Sequence, residues 1–411
     1  MPKQTERLFH SYPYLSEFQA EILDVRGASP SDASKNDASV GYDILLDCTA
    51  FYPESGGQPA DTGKLNGHPV SAVFEDGECV WHRVGGMLRA GERVKGVLDW
   101  SRRFDHMQQH SGQHLLSQAF VRIKKAETVG FHIGSDCATI DLNAVNLDEK
   151  SIGQVEDAAN RLVFEARPIR TTTRQADELS DVPLRKRPLL TGLVRVVEID
   201  GYDWSLCCGT HVKQTGEIGT VKILRWENYK GGSRVHFVCG FRALRDYRAK
   251  ALLVRSVSRI LTVGENEIID LVKKRQEERK ASERRIQHLL ETVLQTEAEG
   301  LLREADSLRS IKLVNRVYHD RKVQEIQMLV RKLVESQGVV AVVGIVDDRT
   351  TVFIARSVDV DLDIRPLVQA ASEVMQGRGG GSHLWGQVSA ENGVNLEEGI
   401  KKVLTLVGER L

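Results

Sequence analysis

The chain has 411 residues, enough for two to four domains, and its 56 Lys and Arg balance 57 Asp and Glu to a net charge of −1. Global charge therefore selects neither a nucleic acid nor a membrane as partner, so any such surface must be local. Cys48, Cys79, Cys137, Cys207, Cys208 and Cys239 follow no disulfide-scaffold spacing, the N-terminus has no apolar signal region, and no run of 18 apolar residues exists; these features predict a soluble, cytoplasmic protein of a reducing compartment.

Residues 8–100 read as β, with alternating runs at Phe18–Val25, Tyr42–Leu46, Pro69–Phe74 and Val94–Leu98 punctuated by Gly, Pro and Asp. The polar stretch 28–39 reads as a loop excursion. A helix is expected from near Ser101, because Leu115, Leu116, Ala119, Phe120 and Ile123 recur at helical spacing. Alternating segments at 131–142, 194–199, 217–225 and 234–239, with a helix near 150–166, complete an α+β unit to about residue 240. Residues 242–285 hold 13 Lys and Arg against 7 Asp and Glu. Within them KKRQEERKASERR (273–285) has no large apolar residue, so a long, half-solvated helix or helical hairpin is expected. Residues 311–411 alternate strands (311–318, 339–346, 351–355) with helices (near 321–336, 363–376 and 395–408), as in a separate α/β domain. The turn at Asp347–Arg349 suggests a hairpin. The whole is α+β and multidomain, divided at 1–100, 101–240, 241–310 and 311–411.

Chemistry concentrates in two short motifs. HSGQH carries His110 and His114, and CCGTH carries Cys207 and His211, both pairs at i,i+4. Three imidazoles and a thiolate suit Zn²⁺ in a tetrahedral shell. His106 lies one turn further upstream, and three histidines so spaced cannot all reach one ion, so the helical pair is 106/110 or 110/114. Gly209 lets the second motif bend tightly, while Cys208 is either a neighbouring thiol or an alternative ligand. Four candidate ligands favour a closed shell, although a large domain needs no staple. HSGQH lacks the glutamate of HExxH, which disfavours a zinc peptidase. Ester hydrolysis remains within reach of a zinc-polarised water.

These motifs are familiar. HSGQHLLS followed by CCGTHVKQTGEIG resembles the editing domain shared by alanyl-tRNA and threonyl-tRNA synthetases and free-standing AlaX proteins. FYPESGGQPADTG (51–63) resembles the glycine-rich segment of the β-barrel preceding that domain. GRGGGSHLWGQV (377–388) is similar to the glycine-rich loop of the DHH-associated domain that ends alanyl-tRNA synthetases. With no class II aminoacylation domain expected ahead of the barrel, the resemblance implies a long-form AlaX-type protein. Such proteins hydrolyse Ser-tRNA(Ala) in trans, and in some cases Gly-tRNA(Ala). It further implies an N-terminal β-barrel, an α+β zinc editing domain, a helical linker and a C-terminal DHH-associated-like domain. One Zn²⁺ per chain would be held by His110, His114, Cys207 and His211. Cys208 departs from the family's usual CGGTH. Thr128, in AETVGFHIG, matches the family's hydroxyl-sensing threonine, with Gln113 and His132 as further pocket residues.

Gly56-Gly57-Gln58 spells the GGQ of peptide-release factors, but a tight turn approaching the neighbouring domain is the simpler reading, with Gln58 at the site's rim. The four glycines of GRGGGS are expected to preclude regular structure there. Arg378, Gly379, Gly380 and Gly381 would cradle RNA phosphate, and His383 and Trp385 would stack on bases. An irregular domain loop or a homodimer contact through the same domain is the alternative that the resemblance also permits. A second reading is a non-catalytic tRNA-binding or synthetase-partner module whose zinc only holds the fold.

Overall fold

The computed structural model describes residues 4–27, 41–186, 191–391 and 395–411, so the polar stretch 28–39 lies outside it. The chain forms two compact units, Met1–Ile260 and Leu261–Leu411. In the first, β1 (Glu6–Arg7) leads into the short helix α1 (Leu8–Ser11), and six strands close into a barrel. These are β2 (Glu17–Gly27), β3 (Tyr42–Leu46), β5 (Gly63–Leu65), β6 (His68–Asp76), β7 (Cys79–Val84) and β8 (Arg93–Leu98), in the order β2-β3-β7-β6-β5-β8. Outside the barrel, β4 (Cys48–Thr49) pairs with β1 in parallel. Alternation sets the barrel's inside: Phe18, Ala20 and Ile22 of β2 are buried while Glu17, Gln19 and Glu21 face water.

Helix α2 (Trp100–Lys124) leaves the barrel at a capped start, where Asp99 accepts from Arg102 N–H, and stops at Lys125 in the left-handed conformation. Arg103 ties it to the barrel: its Nε donates to Asp61 Oδ2 (2.9 Å) and its Nη1 to Pro13 O (2.9 Å), and both charged side chains are fully buried. Two antiparallel sheets complete the unit. One, in the order β14-β15-β10-β9, is built from β9 (Thr128–Ile133), β10 (Ala138–Leu142), β14 (Val221–Tyr229) and β15 (Gly232–Cys239). The other is β11 (Ile169–Gln175), β12 (Leu193–Ile199) and β13 (Asp203–Leu206). Helix α3 (Glu149–Glu165), capped by Asp148, joins Leu115, Leu116 and Phe120 of α2 in one core through Ile152, Val155 and Leu162. Residues 217–220, expected as strand, lie before β14 because Thr215–Ile218 make a 3₁₀ turn. The unit runs out along α4 (Phe241–Leu261).

The second unit begins with α5 (Ile268–Glu304), 37 residues and about 55 Å long. Its charged tract 273–285 is exposed throughout, whereas Leu294 and Ala298 are buried. A six-stranded sheet follows, ordered β16 (Asp306–Leu308), β17 (Ile311–His319), β18 (Val339–Val346), β19 (Arg349–Arg356), β21 (Trp385–Glu391) and β20 (Arg378–Gly381). Strand β18 is covered on both faces, which explains its unbroken apolar run. Its Val339, Ala341, Val343 and Ile345 pack with α5 and α6 (Val323–Val334), and its Val340 and Val342 with α7 (Arg365–Met375) and α8 (Leu396–Arg410). No helix among the described residues is long and apolar enough to cross a membrane.

One expectation fails here. The glycine-rich 378–381 segment is a regular edge strand paired antiparallel with β21. The glycines permit this pairing instead of preventing it. A Cβ at Gly381 would sit 2.2 Å from Trp385 O, and one at Gly379 would sit 2.4 Å from Ser372 Oγ, so only bare backbone fits so close.

Candidate metal centre

The polar run of α2 goes through the interior of its unit. His106, Gln108, Gln109, His110, Ser111, Gln113 and His114 are all buried. Burial of such groups is tolerable where partners await them. Gln108 Nε2 donates to Glu217 O (2.9 Å), and Gln109 pairs with both backbone groups of Cys239, donating at 3.1 Å and accepting at 2.8 Å.

His110, His114, Cys207 and His211 offer ligand atoms that lie within 4.8 Å of one another. Nε2 of His110 and of His211 lie 3.2 and 3.3 Å from Cys207 Sγ, where a tetrahedral zinc shell would set about 3.5 Å. His114 Nε2 is buried without a hydrogen-bond partner among the described residues, as expected of a nitrogen facing an ion. His106 is outside this group, and Cys208 is exposed. The geometry thus brings together the 110/114 pair with Cys207.

Each imidazole is oriented from its far side. His110 Nδ1 lies 2.8 Å from Gln58 Oε1, His114 Nδ1 3.2 Å from Asp203 Oδ2, and His211 Nδ1 3.2 Å from Ser111 Oγ. The Gln58 amide orientation is fixed because its oxygen also accepts from Thr210 N–H (3.1 Å) while its nitrogen donates to Thr210 Oγ1 (2.8 Å). Gln58 and Asp203 can only accept at these atoms, so His110 and His114 carry their protons on Nδ1 and present Nε2 lone pairs to the centre. Burial would raise the Cys207 thiol, but the His110 and His211 imidazoles outweigh it and hold Cys207 well below the usual thiol range. Burial pushes His211 down to about 3, keeping its ring neutral. For His114 burial also lowers the value, but Asp203 and Cys207 overcome it and raise it. Metal ligation requires a thiolate and neutral imidazoles, so the shifts at Cys207 and His211 run toward it and the one at His114 runs against it.

Two turns deliver these groups. Ser55 and Gln58 exchange both backbone hydrogen bonds (3.1 and 2.9 Å) around Gly56 (φ 57°) and Gly57 (φ 83°), a two-residue hairpin loop in which both central residues need positive φ. A Cβ on Gly57 would meet Phe131 O at 2.3 Å, so the loop docks directly on β9 and drives Gln58 under His110. The GGQ is therefore a structural turn whose glutamine orients a histidine. In the CCGTH turn, Arg195 Nη1 donates to Cys207 O and Gly209 O (both 2.8 Å), and a Cβ on Gly209 would collide with the His110 ring at 2.1 Å.

Thr128 opens β9, and a bulge decides where it points. Asp141 pairs with Gly130 but Leu142 pairs with Thr128, leaving Val129 as the extra residue. Thr128 consequently shares the inner face with Phe131, whose ring is 5.0 Å from that of His110. Its Oγ1 is 2.6 Å from Ser117 Oγ, which accepts from Gln113 Nε2 (2.7 Å). Gln113 and Thr128 are thus linked through Ser117, beside the ligand helix. His132 pairs with Thr139 on the opposite face and is exposed, away from this cluster. In the second unit, Arg378 and His383 are exposed and Trp385 is partly buried, its ring 5.7 Å from that of Phe353 at the edge of the core.

Sequence reasoning passed over Asp203, Ser111 and Ser117. The alternation of β13 carried a signal for the first: Asp203 and Ser205 are buried and Trp204 and Leu206 less so, a period-two approach to Cys207.

Comparison with known proteins places this geometry in context. Residues 2–102 match the family model described as tRNA synthetases class II (A), and residues 194–236 match the threonyl and alanyl tRNA synthetase second additional domain. The alanyl-tRNA editing protein AlaX-L of Pyrococcus horikoshii is 30% identical over 397 residues, covering 92% of each chain. The alanyl-tRNA editing protein Aarsd1-B of Xenopus laevis is 31% identical over 71% of this chain and 73% of its own. The alanine–tRNA ligase of Pyrococcus abyssi is 27% identical over 98% of this chain, which spans only 44% of that ligase.

Proposed function

This chain belongs to the AlaX-type alanyl-tRNA editing proteins, and from that premise we propose that it is a zinc-dependent deacylase that hydrolyses the ester of Ser-tRNA(Ala) in trans, with Gly-tRNA(Ala) a second candidate substrate. The observation that carries this reading is the convergence of three Nε2 atoms on one thiol, each ring braced at Nδ1 by a different partner. His110, His114, Cys207 and His211 would hold one Zn²⁺. Bound there, zinc would polarise an ester oxygen or a water.

Selection must spare alanine, the correct product. A pocket sized for serine admits alanine, whereas a site that must hydrogen-bond the serine hydroxyl rejects the analogue lacking it by up to ~10⁴–10⁵. In this reading Gln113 orders Ser117, Ser117 donates to Thr128, and the Thr128 proton is left for the substrate hydroxyl. Residues 1–100 would be the barrel with its glycine-rich motif, 101–240 the editing domain, 241–310 a helical linker and 311–411 a DHH-associated-like domain. That last domain, through Arg378, Gly379, Gly380, Gly381 and His383, would meet the tRNA backbone or a second copy of the chain. The reaction would take place in the cytoplasm.

Deacylation of Ser-tRNA(Ala) and Ala-tRNA(Ala) by the purified full chain tests this. Wild-type protein is expected to clear the first and spare the second, and Thr128→Val to slow serine release about tenfold or begin to consume Ala-tRNA(Ala). Unchanged rates on both would remove Thr128 from the site. No wild-type hydrolysis at all would favour a tRNA-binding module with structural zinc.

A further inference from the structure

His106 repeats the ligand spacing one turn before His110, yet its imidazole is left out of the cluster. It is 3% exposed, its Nδ1 has no hydrogen-bond partner among the described residues, and burial first, then Arg102, lowers its pKa to about 4, so the ring is neutral. It lines a cleft of about 760 Å³, together with Trp100, Phe104, Phe241, Arg102 and Arg245. Asp105 is the one acidic residue among the described lining residues, and Arg242 engages it at 2.6–3.0 Å. The cleft therefore keeps a positive excess at Arg102 and Arg245. It also lies at the first turn of α2, the positive end of a 25-residue helix. Phe241 is 63% exposed, an aromatic surface that no described residue covers.

Aromatic faces beside cations, with a neutral imidazole able both to donate and to accept, suit a nucleobase attached to phosphate more than an acidic peptide. The volume is in the range of small-ligand sites. We infer that this cleft seats one nucleotide of a single-stranded RNA segment, its base against the aromatic walls with an edge on His106 and its phosphate over Arg102 and Arg245. The inference rests on reading the chain as one that handles tRNA, though not on its hydrolysing anything.

Fluorescence anisotropy with labelled, uncharged tRNA(Ala) and the full chain tests the site. Phe241→Ala and Arg245→Glu are expected to weaken binding about tenfold. Arg255→Glu, an exposed cation further along α4, is expected to change it less than threefold. An unchanged Kd in both cleft variants would overturn the site, as would an equal loss in the Arg255→Glu control, which would mean mere charge attraction. The two readings separate in deacylation. A wild type that binds tRNA through these residues but hydrolyses nothing leaves the cleft standing and ends the deacylase reading. A wild type that hydrolyses Ser-tRNA(Ala) with a KM unmoved by either cleft variant does the reverse.

Discussion

Two helical stretches of this chain are both polar, and the fold treats them oppositely. Residues 106–114 of α2 are buried almost throughout, whereas residues 273–285 of α5 lie in water. The difference lies in what each side chain asks of its surroundings. Gln, His and Ser can be satisfied by one or two fixed partners at no cost in net charge, and for most of these side chains Gln58, Cys239, Asp203 and Ser117 supply them. Lys, Arg and Glu in α5 would carry charge into the interior, at several kcal/mol each. Their i,i+4 contacts, such as Lys274–Glu278 and Arg279–Glu283, are surface pairs worth little. A polar helix is thus no evidence of a solvated one; the kind of polarity matters.

Four substitutions sharpen this contrast, in order of expected effect. Cys207→Ala or His110→Ala should weaken metal retention by more than about 100-fold, beyond what loss of a supporting contact does. Elemental analysis of the purified variants should then find no stoichiometric metal, while wild type holds one zinc. Arg103→Ala should leave Asp61 as a lone buried charge and cost about 3–5 kcal/mol in urea unfolding, with Arg279→Ala on α5 unchanged within error. Asp203→Asn should be the mildest, keeping shape but withdrawing the carboxylate from His114, and lowering zinc affinity about 10–100-fold in chelator competition. Equal sensitivity of α2 and α5 to such changes would erase the distinction.

Much of this was legible in one dimension. Spacing at 110/114 and 207/211, the onset of α2 at residue 100, and the α/β alternation of 311–411 all follow from local periodicity. The short strands Gly63–Leu65, Asp203–Leu206 and Arg378–Gly381 escaped, because three or four residues carry too little pattern to outweigh turn-like composition. His106 and His110 also look alike in sequence, and so do Cys207 and Cys208. Only the position of the partner segment makes one a member of the cluster and its neighbour not.

By itself, then, the sequence determined the donor chemistry: which nitrogens and sulfur exist, and at what spacing along each element. Tertiary structure decided the rest. It set which of three histidines converge, through Gln58 arriving from the barrel and Asp203 from β13. It turned Thr128 inward, through the extra residue Val129. Spacing along a helix is a local property of the backbone, but the direction of a lone pair depends on contacts made across 52 and 89 residues of chain.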